Sequence, residues 1–162
     1  MRLTVLAFVL CSAAFAQGQK APAMSDDKYG DAAAIRSLPA HKLTALLNDP
    51  QATPYAKAKA CQRLSVIGDP SAVPAIAALL PDEHLSVYAR TALEQIPSDQ
   101  AGDALRAALP KLKANLLIGA INSIGVRRDA KSVEALSRLL HSEDKEVAKA
   151  ALAALARIRP PL

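Results

Sequence analysis

Aromatic side chains are scarce. The sequence has no tryptophan, two phenylalanines and three tyrosines. Phe8 and Phe15 both fall within the first sixteen residues, so the body keeps only Tyr29, Tyr55 and Tyr88. A surface so poor in rings lacks the platforms on which single-stranded nucleic acid or sugars stack. Any core must be aliphatic and rich in alanine. Cysteine is almost absent too: Cys11 and Cys61 are the only two. The three histidines, His41, His84 and His141, have no cysteine or histidine at zinc-ligand spacing. Glycine-rich phosphate loops, a nucleophile elbow and the HExxH pattern are all missing. Asp82-Glu83 and Glu143-Asp144 read as acidic helix openings rather than catalytic acid pairs. The reading is therefore of a non-enzymatic chain, with no catalytic residue, metal or cofactor assigned.

Residues 1–16 form a separate object. Arg2 supplies a short basic region, Leu3 to Cys11 is apolar, and Ala14-Phe15-Ala16 matches an A-x-A cleavage site. These features predict a secretory signal peptide cut before Gln17, and an exported protein, periplasmic or secreted, from a bacterium. The apolar run is short for a membrane span of about 20 residues. A lipoprotein reading of Cys11 meets Leu10, which is not the small residue that lipid attachment wants. Cleavage costs one positive charge, Arg2, and leaves Cys61 with nothing to pair. Its place on an apolar stripe predicts a buried, inert thiol. Residues 17–36 are polar and rich in breakers, and read as a flexible lead-in, with a helical turn over 31–36.

What the chain does have is repetition. In 56–80, AKAKACQRLSVIGDPSAVPAIAALL, Ala60, Cys61, Leu64 and Ile67 make one helical stripe. Gly68 then suits a left-handed C-cap. Asp69-Pro70 is a cap with proline at the first helical position, and Val73, Ile76, Leu79 and Leu80 make a second stripe. So short a turn forces two antiparallel helices. Leu93, Ile121 and Leu155 stand where Leu64 does, and Ile96, Ile124 and Ile158 where Ile67 does. Val133, Leu136, Leu139 and Leu140 repeat the second stripe. A period of about thirty residues, one helical hairpin each, predicts an all-α fold, an α-solenoid of stacked antiparallel hairpins over 37–162. Helices are expected over 82–96, 98–109, 113–125, 130–141 and 143–158, the last capped by Ser142. A first helix opens at Ser37-Leu38-Pro39 with Leu43, Leu46 and Leu47 inward.

The segments IGDPSAVPAIAALL, INSIGVRRDAKSVEALSRLL and EVAKAALAALARI resemble the HEAT repeat family, over about residues 53–158. The similarity is to its short bacterial form, related to the repeats of bilin lyases. That resemblance implies an armadillo-like helical array acting as a protein-binding scaffold. It also raises two alternatives: a bilin- or cofactor-handling lyase, and a nucleic-acid binder like the HEAT-like DNA glycosylases. The predicted export opposes both, and the modest net charge of +5 opposes the second as well.

Partner-binding residues are sought on the second helices and their turns. Arg127-Arg128 reads as a basic pair inserted, after Val126, in an exposed turn that the first copy lacks. Aligning copies adds Asp103, Arg106, Glu134 and Arg138. Their mixed charge suits a protein partner rather than a polyanion, with no nucleic acid and no membrane insertion expected. The last helix has no second helix after it, and its outer face of alanines, Ala151 and Ala154, reads as one that simply tolerates water, the alternative being a surface for docking onto a partner or for self-association.

Overall fold

The computed structural model describes residues 25–158. The expected signal peptide over 1–16, lead-in residues 17–24, and Pro160-Pro161-Leu162 lie outside them. Two short antiparallel strands, β1 (Ser25–Asp26) and β2 (Gly30–Asp31), precede the helices. Then come α1 (Ala32–Ser37), α2 (Ala40–Asn48), α3 (Pro54–Ile67), α4 (Val73–Ala77) and α5 (Ser86–Gln95). They are followed by α6 (Asp99–Ala108), α7 (Ala114–Arg127), α8 (Val133–Leu139) and α9 (Lys145–Ile158). The fold is all-α, as expected.

Local chemistry sets the boundaries. Thr53 Oγ1 accepts the Ala56 N–H and Pro54 opens α3, which closes on Gly68 at φ 73°. Asp69 and Asp129 each cap a single 3₁₀ turn, Pro70–Ala72 and Ala130–Ser132. Those turns take the first residues of the expected second helices, so α4 and α8 are short. The helix expected from 82 begins at Ser86, because the Asp82 carboxylate accepts the His84 and Leu85 N–H groups and holds a turn there. The last helix begins at Lys145 rather than 143. Asp144, not Ser142, accepts the N–H groups of its first turn, from Glu146 and Val147.

Packing follows sequence order. Helix α1 packs on α3, α3 on α5, α5 on α7 and α7 on α9, while α2 packs on α4 and α4 on α6. Neighbours α2–α3, α4–α5, α5–α6, α6–α7 and α8–α9 join the two rows. Leu64, Leu93, Ile96, Ile121 and Ile124 are fully buried between them, as are Leu43 and Leu46 from α2. Ile67, expected on the same stripe, is 38% exposed at the end of α3. Val73, Leu79 and Leu80 are buried, but their counterparts Val133, Leu139 and Leu140 are only half-buried. The difference is positional: α4 is covered by α6, whereas no described element stacks beyond α8.

Two expectations are corrected here. Ala151 and Ala154 do not form the outer face of α9; both are fully buried, and Ala154 sits against Gly125 of α7. The large apolar side chain facing outward on α9 is Leu152, 61% exposed. The described part of the lead-in, residues 25–36, is a hairpin and helix tied to the body. Ile35 is fully buried. Asp26, 3% exposed, accepts the N–H groups of Lys28, Tyr29 and Thr53 and the Thr53 hydroxyl. Asp49 accepts from Lys28 Nζ and the Tyr29 hydroxyl. Breakers made the segment look loose; side-chain hydrogen bonds spanning it to the next turn hold it. Cys61 is buried and free, its thiol pushed up to about 12 by desolvation.

Candidate functional site

The six residues singled out for partner binding lie on α6, α7 and α8 and the turn between the last two. They divide into two that hold the fold together and four that reach solvent.

Arg127 belongs to the first group. The structure corrects its expected place in an exposed turn: Val126 and Arg127 continue α7, and only Arg128 leaves it, in the left-handed region at φ 52°. The Arg127 guanidinium turns back to α5. Its Nη1 donates to the carbonyls of Leu93 and Ile96, at 2.5 and 2.8 Å, and Nη2 to Ser98 at 2.7 Å. Leu93 and Ile96 stand at the C-terminal end of α5, where a cation is favoured, and Ser98 caps the next helix. Arg106 is the second structural member. It pairs with Asp129, cap of the 3₁₀ turn, and with Asp103 one turn back on its own helix. Asp129 Oδ2 also accepts the hydroxyl of Ser132, which is fully buried. The resulting network fastens α6 to the turn that launches α8.

Asp103, Arg128, Glu134 and Arg138 are exposed. Glu134 and Arg138 pair at 2.7 Å along α8. Asp99 and Lys131, which the repeat alignment had not singled out, pair at 2.9 Å across the same surface. The hydrogen bond from Lys131 lowers the Asp99 carboxyl below its ordinary value and raises the Lys131 ammonium. Arg106, Arg127 and Arg128 line one shallow cavity of 270 Å³ together with Asp99 and Asp129. A second cavity, 370 Å³, has Arg106 and Arg138 at its rim and Leu109, Pro110, Ala135 and Leu139 on its walls. The structure therefore gathers Arg106, Arg127 and Arg128 at one hollow. Glu134 lines neither, and Arg138 joins the set only through Arg106.

Chemically this is a mixed-charge surface in which most cations already have a carboxylate or a carbonyl. Arg128 is the exception, with no carboxylate partner among the described residues. Among the described residues no three histidine, cysteine, aspartate or glutamate side chains converge to hold a metal ion. No described helix is long and apolar enough to cross a membrane. No protein family and no curated protein matches the chain.

Proposed function

We propose that the chain is a short α-solenoid of HEAT-like hairpins, exported from a bacterial cell, that works as a non-catalytic scaffold for another protein. One observation carries the reading. Each odd-numbered helix packs on the next odd-numbered one, and α2, α4 and α6 pack likewise. An array of this kind shows its flanks along its length, with side chains spaced for contact with an extended surface. The ridge carrying Asp103, Arg128, Glu134 and Arg138 presents both signs of charge. That supports a protein partner, whose own surface carries both, rather than a polyanion.

The test uses the exposed residues only, since replacing Arg106 or Arg127 would disturb the fold. A photo-crosslinking residue at position 128 or 138 in the full chain, expressed in its own envelope, should yield a discrete protein adduct. Charge reversal by R128E or R138E should abolish it with helicity unchanged. Recovery of no adduct from either position would overturn the ridge as the contact surface. Self-association through the end of the array needs Leu152, not the buried alanines. A rise in mass with concentration, measured by light scattering, should disappear in Leu152→Glu; a rise that persists would move the contact elsewhere.

A further inference from the structure

The edge where α3, α5 and α7 begin is remote from Arg127 and Arg128, which lie at the end of α7. Two hollows meet there. One, 300 Å³, lies between the starts of α3 and α5 and is lined by Tyr55, Lys59, His84 and Tyr88. The other, 650 Å³, lies between the approach to α5 and the start of α7 and is lined by His84, Lys111, Lys113 and Leu116. His84 lines both, so they form one groove crossing three helix starts. Two of the three tyrosines outside the predicted signal line it.

Its electrostatics differ from the ridge. Lys111 and Lys113 are exposed, and among the described residues neither meets a carboxylate within ion-pair distance. Lys59 lies over the Tyr55 ring, its Nζ 5.5 Å from the centroid, and donates to Gln62. Glu83 is the single acid on the walls. Lys113, at the N-cap position of α7, makes no side-chain cap. The positive end of that helix adds to the lysines. On the ridge, by contrast, Lys131, Arg106 and Arg138 are paired, and Arg128 is left without a carboxylate among the described residues. Apolar floor comes from Leu112 and Leu116, and from the half-buried tyrosine rings.

From this groove we infer a second interaction surface, fitted to an extended acidic segment of a partner protein. Three packed helices separated by roughly 10 Å each give a track of about 20 Å. That is the length of roughly six extended residues. Acidic side chains of such a segment meet Lys59, Lys111 and Lys113. The apolar ones between them lie on Tyr55, Tyr88 and Leu116. A flat anionic surface would engage the lysines without using the hollows. The inference shares the protein-binding reading above but rests on different residues.

The test uses the protein from Gln17 onward and a fluorescein-labelled peptide of about eight residues alternating glutamate and leucine. Fluorescence anisotropy should show saturable binding that weakens as salt rises. The K111E/K113E double variant should lose at least tenfold in affinity, Tyr88→Ala several-fold, and R128E/R138E nothing. Equal binding by K111E/K113E, or equal binding of the glutamine-for-glutamate peptide, would overturn the proposal. So would binding to vesicles containing phosphatidylglycerol that is as strong as to the peptide and unaffected by Tyr88→Ala. A photo-crosslinker at position 113 separates the two surfaces in the envelope. A protein adduct from 138 but not 113 leaves the scaffold reading standing and removes the groove. Adducts from neither remove both.

Discussion

Single side chains do much of the fastening, and two of them are arginine and aspartate residues that look like surface charge. Asp26 is the clearest. Burial alone would raise its carboxyl, but the hydrogen bonds from Thr53, Tyr29 and Lys28 outweigh it and bring the value to about 2. Asp49 is also lowered to about 2, first by the hydrogen bond from Lys28 and then by those from Gln51 and Tyr29. Both folded values lie below the ordinary 3.8. Their contribution to stability is therefore whole above that value and fades as the pH falls toward 2. Asp26→Asn should cost on the order of 2 kcal/mol at neutral pH. It should also flatten the loss of stability between about pH 4 and pH 2, measured by urea unfolding at each pH. An unchanged acid limb would show that Asp26 is not the group responsible. Arg127→Ala should destabilise by roughly 2 kcal/mol, because the bonds that tie the end of α7 to the carbonyls of Leu93, Ile96 and Ser98 are lost. Lysine there should restore only part, since its compact ammonium cannot span acceptors that the guanidinium reaches from two separate nitrogens. Neither role could be read from spacing. A carboxylate in a polar stretch rich in breakers reads as part of a loop whether or not its second oxygen reaches another segment.

At the scale of elements, close approach is the governing fact. Helix α9 lies on α7 through Gly125, where an added Cβ would stand 2.9 Å from the Ala154 Cα. That contact is with backbone, so the helices must separate. Gly119, also on α7, faces the Arg90 guanidinium, with its Cζ at 2.6 Å from the same ideal position. A long side chain can swing aside, at the loss of the bond from Arg90 Nη1 to the Gly119 carbonyl. Gly125→Ala should therefore cost about 1–3 kcal/mol by overpacking, and Gly119→Ala less, compared by thermal unfolding. The reverse order would mean that α9 rides loosely on α7. Helix boundaries show the same division of causes. Stripes of leucine and isoleucine placed α2, α3, α5 and α7 in the sequence to within a few residues. Helices α5 and α9 start later than the acidic pairs suggested, because Asp82 holds a turn through Leu85 and Asp144 accepts the first N–H groups of α9.

For the whole molecule, order of packing makes stability depend on position. Helices α5 and α7 have a neighbour of their own row on both sides, while α8 packs chiefly on α9 of the other row. If each unit leans chiefly on its neighbours, the ends open first. Amide hydrogen exchange should thus be slowest in α5 and α7 and fastest in α8. The hairpin at Ser25–Asp31 should exchange more slowly than its length implies, because Asp26 pins it to Thr53. Uniform protection across all helices would indicate one cooperative unit instead of an array. The candidate ridge was partly legible at this scale. Copy alignment led to Asp103, Arg106, Glu134 and Arg138, and the inserted basic pair to Arg127 and Arg128, yet neither could tell which cations were already engaged. The groove at the opposite edge was not legible at all, since Tyr55, His84 and Lys113 come from three different units.

Local pattern determined the helical class and most of the buried aliphatic set, because an apolar stripe can be satisfied only by facing another. Tertiary structure alone decided which charges are free. An arginine side chain is long enough to reach a neighbouring helix or to stay in solvent, and only the position of that helix chooses between them. Arg127 and Arg128 are adjacent in the chain, and the fold sends one inward to α5 and the other out to water.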